Sequence, residues 1–159
     1  MKNHIHTLYK IVFLAFAMDI QAQGPDPWAS LPTVEVPTFK KDTFNIIQYG
    51  AVSDGITLNT KSINQAIKDC STKGGGVVLV PKGLWLTGPI ELRNNVNFSL
   101  DKNATLLFTK DKSQYALIET SWEGLPAVRN QSPISGTDLQ NVAITGHGVI
   151  DGNGDVWRA

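Results

Sequence analysis

The chain has 159 residues, 42% of them hydrophobic and 18% charged, with 14 Lys and Arg against 14 Asp and Glu. That balance removes the electrostatic argument for a nucleic-acid partner, and the length suits about one domain built on one core. A single cysteine, Cys70, excludes an internal disulfide, so stability must come from packing.

In chain order, Lys2 and Lys10 flank the start of an apolar run from Ile11 to Met18 that is too short to span a bilayer. With Ala22 as a small residue before the cut, residues 1–22 read as a secretory signal peptide. The competing reading, a buried N-terminal helix, lacks the amphipathic pattern it needs. Cleavage leaves 137 residues with 12 basic and 13 acidic side chains. No cysteine lies near Ala22 to carry a lipid anchor, so the expected destination is secreted or periplasmic, with no membrane attachment once the signal is removed. Residues 23–43, which contain Pro25, Pro27, Pro32 and Pro37, are expected to run as an extended lead-in. Residues 44–159 then form the domain.

Phe44, Ile46 and Ile47 predict a short strand, followed by a turn at Ser53-Asp54-Gly55. The one convincing helix starts with Asn59 or Thr60 as N-cap and sets Ile63, Ala66, Ile67 and Cys70 on one face at i, i+3, i+4 and i+7. Gly74-Gly75-Gly76 ends it. A phosphate cradle needs its glycines before a helix, so these read as a C-cap and a tight passage into the next strand. Cys70, on the apolar face and without a neighbouring His in the sequence, reads as a buried small side chain rather than a nucleophile.

Beyond Gly76 come short apolar runs: Val77 to Val80, Leu84 to Thr87, Ile90 to Leu92, Val96 to Leu100, Ala104 to Phe108, Val142 to Thr145 and Val149 to Asp151. Turn formers such as Pro81-Lys82-Gly83, Gly88-Pro89 and Asp101-Lys102-Asn103 separate them. An antiparallel sandwich and a solenoid both accommodate such strands, and internal repetition favours the solenoid. Asn95-Val96-Asn97-Phe98-Ser99-Leu100 aligns with Asn141-Val142-Ala143-Ile144-Thr145-Gly146 at an offset of 46 residues, read as two coils of 23. The expected fold is therefore all-β, a right-handed parallel β-helix. Val96, Phe98 and Leu100 would point inward, Asn97 and Ser99 outward, and Asn95 and Asn141 would stack as a corner ladder. The helix from about Thr60 to Lys73 is placed to cap the N-terminal end of the tube, while at the other end Trp157-Arg158-Ala159 offers no polar closing segment and the helix is expected to be incomplete.

With these segments laid out, the chain resembles the N-terminal third of glycoside hydrolase family 28, the polygalacturonases and rhamnogalacturonan hydrolases, over about Phe44 to Arg158. Tyr49-Gly50-Ala51-Val52-Ser53-Asp54-Gly55, the helix into Gly74 to Gly83, and Leu86-Thr87-Gly88-Pro89-Ile90-Glu91-Leu92 are similar to many pectin-lyase-like β-helices. More discriminating are Trp122-Glu123-Gly124, Asn130-Gln131-Ser132-Pro133-Ile134, and Thr145-Gly146-His147-Gly148-Val149-Ile150-Asp151-Gly152-Asn153-Gly154 with Trp157.

The resemblance implies inverting hydrolysis of α-linked galacturonic acid polymers, pectin or rhamnogalacturonan, by an enzyme that is monomeric at full length and uses no cofactor. Inversion needs an acid and a base about 6.5 to 9.5 Å apart. The family's aspartate motifs have no match in their proper place on this chain, so no catalytic residue is assigned within it. The catalytic aspartates are expected beyond residue 159, and the chain alone is expected to be inactive. His147 fills a variable position of a turn, and Asp151 reads as a turn residue bonding nearby amides. His4, His6 and His147 show no metal-ligand spacing.

The candidate substrate-binding residues lie in the long excursion from Ser113 to Ser135, where a functional loop is expected. Trp122 is suited to stack on a sugar, Glu123 to accept hydroxyl hydrogen bonds, and Arg129 to grip a carboxylate. The structural alternatives are a loop packed on the tube by its own tryptophan and a surface salt bridge at Arg129. Two other functions stay open. One is a polysaccharide lyase of the same superfamily, which would make an ultraviolet-absorbing product and use calcium. The other is a carbohydrate-binding β-helix without enzymatic activity.

Overall fold

The computed structural model describes residue 31 and residues 34–157. The signal-peptide reading of residues 1–22 lies outside that range. The chain divides into two units, residues 1–35 and 36–159, and everything below concerns the second. Among the described residues no helix is long and apolar enough to cross a membrane.

Among the described residues the second unit is built from eleven short strands and one α-helix. β1 (Thr43–Asn45), β2 (Gly76–Val80), β5 (Val96–Leu100) and β10 (Ala143–Gly146) form one parallel sheet in that order. β3 (Gly83–Thr87), β6 (Ala104–Phe108) and β11 (Val149–Asp151) form a second parallel sheet, and β4 (Ile90–Glu91) pairs in parallel with β9 (Ile134–Ser135) in a third. Each pass of the chain adds one strand to each wall, the arrangement of a parallel β-helix.

Alternation along the strands fills the tube. Phe44, Val78, Phe98 and Ile144 stand in one column of directly paired positions, and Trp85, Leu106 and Ile150 in another. Val96, Phe98 and Leu100 are buried as expected, with Asn97 and Ser99 on the other face. Ile144 and Ile150, in the last strand of each column, remain 44% and 40% exposed. At the corner, Asn141 Nδ2 donates to Asn95 Oδ1 at 3.2 Å, which is the expected ladder. Asn141 also clasps the lead-in, donating to the Thr38 carbonyl at 2.8 Å and accepting from its N–H at 3.1 Å.

The helix α1 (Thr60–Thr72) buries Ile63, Ala66, Ile67 and Cys70 against β1, β2, β4 and β5. Gly75 donates to the Cys70 carbonyl at 2.9 Å and turns the chain into β2.

Three expectations are corrected. Only Phe44 of the first apolar group is in a strand, because the Asn45 carboxamide accepts from Ile47 N and Gly50 adopts φ 85°, which winds Ile46–Tyr49 into a 3-10 turn. Asn59 does precede α1, but its side chain bonds no helix N–H. It is buried and instead accepts from Val52 N at 2.7 Å and donates to the carbonyls of Val52, Thr57 and Leu86. The 46-residue repeat is one coil and not two. Asn97 pairs directly with Ala143, whereas the preceding coil pairs Gly76 with Val96 after only 20 residues. The extra length is an insertion between β6 and β9.

Candidate functional site

That insertion is a regular element rather than an irregular loop. β7 (Leu117–Trp122) and β8 (Leu125–Asn130) pair antiparallel from Leu117↔Asn130 to Trp122↔Leu125. Glu123 and Gly124 connect them with φ 51° and 84°, the double positive φ of a two-residue type I′ hairpin. Its base is tied to the coil by Asn130 Nδ2 donating to the Tyr115 carbonyl at 3.0 Å and by Gln131 N donating to the Ala116 carbonyl at 2.8 Å. Tyr115 is in turn anchored through its hydroxyl to the Thr109 carbonyl at 2.9 Å, and burial raises its phenol pKa above the usual value.

Directly opposed residues share a face of an antiparallel ribbon. One face of the hairpin therefore carries Ile118, Thr120 and Trp122 beside Arg129, Ala127 and Leu125. The Arg129 guanidinium carbon lies 4.0 Å from the centre of the Trp122 ring. At that distance the two groups make a cation–π contact.

A cleft of about 720 Å³ opens between this face and the turn after β11. Trp122 and Arg129 line it with Thr120 and Ser121, Asn130 to Pro133 lie at its base, and Gly152 and Trp157 form the opposite side. Trp157 is held by the 3-10 turn Gly154–Trp157, which Asn153 Nδ2 ties to the Phe108 carbonyl at 3.1 Å and Asp155 ties to Lys110 at 2.7 Å. The Trp157 ring meets Tyr115 edge-on, centroids 4.9 Å apart, with the Lys112 ammonium 5.4 Å from its centre.

Of the three sequence candidates, the structure brings two together. Trp122 is 56% exposed, so it is not a plug that packs the hairpin onto the tube. Arg129 makes neither of the two ion pairs found among the described residues, Arg93–Glu91 and Lys110–Asp155, which removes the surface salt-bridge alternative. Glu123 occupies the hairpin tip and does not line the cleft. Tyr115, Gln131 and Trp157 also line the cleft and were not among the sequence candidates. The two six-residue runs around Glu123-Gly124 were the available signal for the hairpin. Nothing local to the sequence placed Trp157 beside Tyr115.

No Asp or Glu lines the cleft. Among the described residues no three His, Cys, Asp or Glu side chains gather as a metal site. His147 is exposed and uses its backbone N–H on the Leu100 carbonyl at 2.9 Å, while Asp151 accepts from Asn153 N at 2.8 Å, the turn role expected of it. The cleft thus offers aromatic faces, amides, hydroxyls and a guanidinium. It has no pair of carboxyls for acid and base catalysis.

A family model described as Rhamnogalacturonase A/epimerase, pectate lyase-like, matches residues 43–153. The chain is 38% identical over 122 residues to a probable polygalacturonase of Vitis vinifera, a match covering 71% of this chain and 25% of that protein. Among solved structures, a hyperthermoactive exopolygalacturonase from Thermotoga maritima superposes with a TM-score of 0.68 at 36% identity, over 75% of this chain and 27% of that one. A family 28 exopolygalacturonase of Yersinia enterocolitica gives 0.65 at 34% identity, over 72% and 21%. The chain spans about a quarter of the length of the curated relatives it matches.

Proposed function

Because the chain belongs to the rhamnogalacturonase A/epimerase, pectate lyase-like family, we propose that it forms the first coils of a secreted glycoside hydrolase that cleaves pectin-type polysaccharide, α-linked galacturonic acid, with inversion. The observation that carries this reading is the superposition of three quarters of the chain on an exopolygalacturonase at 36% identity. The 22-residue signal segment supports export, and α1, with its apolar face on the first strands, closes that end of the tube. The substrate is held here and cut elsewhere. A cleft without carboxylates can orient a sugar but cannot protonate a leaving oxygen or activate water.

The test has two arms. Purified 159-residue chain incubated with polygalacturonate should release no reducing ends, and clear release would overturn the assignment of chemistry to other residues. The gene read past codon 159 should continue into an aspartate pair, and the protein so extended should yield reducing ends without an ultraviolet-absorbing product. An unsaturated product would replace hydrolysis by elimination.

A further inference from the structure

We propose that residues 36–42 are a strap that fastens the coil carrying the hairpin, so that detaching this segment loosens that coil and leaves the earlier ones as they are.

The strap belongs to the second unit and crosses the ends of the first-wall strands against their stacking order. Asp42 lies at the level of β2, where its carbonyl accepts from Val77 N at 2.8 Å. Lys40 Nζ reaches the Lys73 carbonyl just past α1 at 3.5 Å, a cation on the negative end of the helix. Thr38 lies two layers further on, against Asn141 at the entry to β10.

Asn141 spends its whole carboxamide on this junction. Its Oδ1 accepts from Thr38 N at 3.1 Å, while the two Nδ2 hydrogens serve the Thr38 carbonyl at 2.8 Å and Asn95 Oδ1 at 3.2 Å. One side chain thus pairs both backbone groups of Thr38, across 103 residues of sequence. Asn95, the equivalent corner residue one coil earlier, gives its oxygen to Asn141 and makes no bond to the lead-in among the described residues.

The coil chosen is the one that needs a fastener. It returns to the first wall after 46 residues where the preceding coil takes 20, so more chain freedom is lost on closing it. It also enters the layer in which Ile144 and Ile150 stay 44% and 40% exposed, so less apolar burial holds it down. At that corner it is otherwise tied by Gln140 N donating to Asn94 Oδ1 at 2.7 Å and by Asn95 N donating to the Gln140 carbonyl at 3.1 Å. The hairpin and the Gly154–Trp157 turn stand on this coil and its continuation, so the strap also steadies the two sides of the cleft.

The experiment is hydrogen exchange read by mass spectrometry on the 159-residue chain, comparing residues 139–151 with residues 76–100. Thr38→Pro removes the N–H that Asn141 accepts and leaves the Asn95 rung in place. Asn141→Gly removes all three bonds and keeps φ 54° without strain. Asn95→Gly, at φ 63°, removes only the rung and leaves the strap attached. Thr38→Pro and Asn141→Gly should each speed exchange in 139–151 about tenfold, the scale of one or two net hydrogen bonds. Exchange in 76–100 should not change, and Asn95→Gly should have a clearly smaller effect. Thr38→Pro placed in the Asn141→Gly chain should add nothing, because both act on one contact. Unchanged exchange in 139–151, or equal acceleration in both regions, would overturn the strap. So would additive effects in the double variant, or a loosening by Asn95→Gly as large as that by Asn141→Gly with Thr38→Pro silent, which would assign the fastening to the asparagine ladder.

Discussion

Replacing Asn59 with Ala should cost about 2 to 3 kcal/mol of stability, although the residue sits at a helix start where an ordinary cap is worth about 1 kcal/mol. The larger figure follows from its partners. The side chain accepts from Val52 N at 2.7 Å and donates to the carbonyls of Val52 at 2.9 Å, Thr57 at 2.9 Å and Leu86 at 3.1 Å. The carboxamide has two N–H groups for these three carbonyls and so makes at most three full bonds, and at about 0.5 to 1.5 kcal/mol for each the gross loss is about 1.5 to 4.5 kcal/mol. One partner recovers: the Leu86 carbonyl keeps the Asn59 backbone N–H at 2.9 Å. The bonds to Val52 and Thr57, which hold the loop of residues 52–59 together, are not replaced. Urea denaturation followed by circular dichroism measures the difference, and with m-values of about 1 to 3 kcal/mol/M the midpoint should fall by about 0.7 to 3 M. Asn59→Asp is the discriminating control. Aspartate is as good an N-cap as asparagine, so a capping role predicts no loss, whereas here a carboxylate would face three carbonyls and should be at least as damaging as alanine. An alanine loss below about 0.5 kcal/mol, or a harmless aspartate, would refute the description of Asn59 as a buried staple.

Further outcomes follow from the same structure. Burial pushes the Cys70 thiol up to about 11, so iodoacetamide at pH 8 should modify it far more slowly in the folded chain than in urea, and equal rates would contradict its place in the core. Asp54, whose carboxylate accepts from the Thr57 hydroxyl and from Thr57 and Ile56 N–H, has its pKa lowered from 3.8 to about 2. A depressed folded value contributes stability above the unfolded value and loses it as pH falls through the folded one. The stability gap between the native chain and Asp54→Asn should accordingly be constant above about pH 5 and close between about pH 4 and pH 2; a gap independent of pH in thermal melts would refute it. Gly75→Ala should cost about 1 to 3 kcal/mol, because Gly75 has φ 94° and a Cβ there overlaps the Asn95 carbonyl. Gly124→Ala, with φ 84° but open space around it, should cost less in the same denaturation assay, and a reversed order would show that close approach of coils is not what requires glycine at position 75.

The walls of the tube were legible because a strand with one buried face alternates with period 2, and Val96, Phe98 and Leu100 say so without help from the rest of the chain. The helix was legible for the corresponding reason, with Ile63, Ala66, Ile67 and Cys70 in one stripe. What failed was counting. A repeat at 46 residues is compatible with two plain coils or one coil carrying an insertion, and only the direct pairing of Asn97 with Ala143 decides. The same limit applies to Ile46 and Ile47: two apolar residues look alike in sequence, but Asn45 and Gly50 wind them into a turn that buries Ile46 and leaves Ile47 53% exposed. At the site, Trp122 and Arg129 were identifiable separately as a sugar-stacking and a carboxylate-binding type. Their contact required the cross-strand register of the hairpin, and the pairing of Tyr115 with Trp157 required a complete turn of the coil.

That register also explains why an exposed hairpin can sit here at all. One coil returns to the first wall after 20 residues and the next after 46, yet both enter it in parallel register, Gly76 on Val96 and Asn97 on Ala143. The stack is therefore indifferent to what happens between β6 and β9. Loop closure penalises added length only slowly, by about 0.6 kcal/mol per doubling, and the hairpin satisfies its own backbone groups through six facing pairs. Its side chains are then free of any duty to the core: every residue of β7 is exposed. Residues released from packing can be chosen for chemistry, and Trp122 with Arg129 is the pair that this hairpin presents to the cleft.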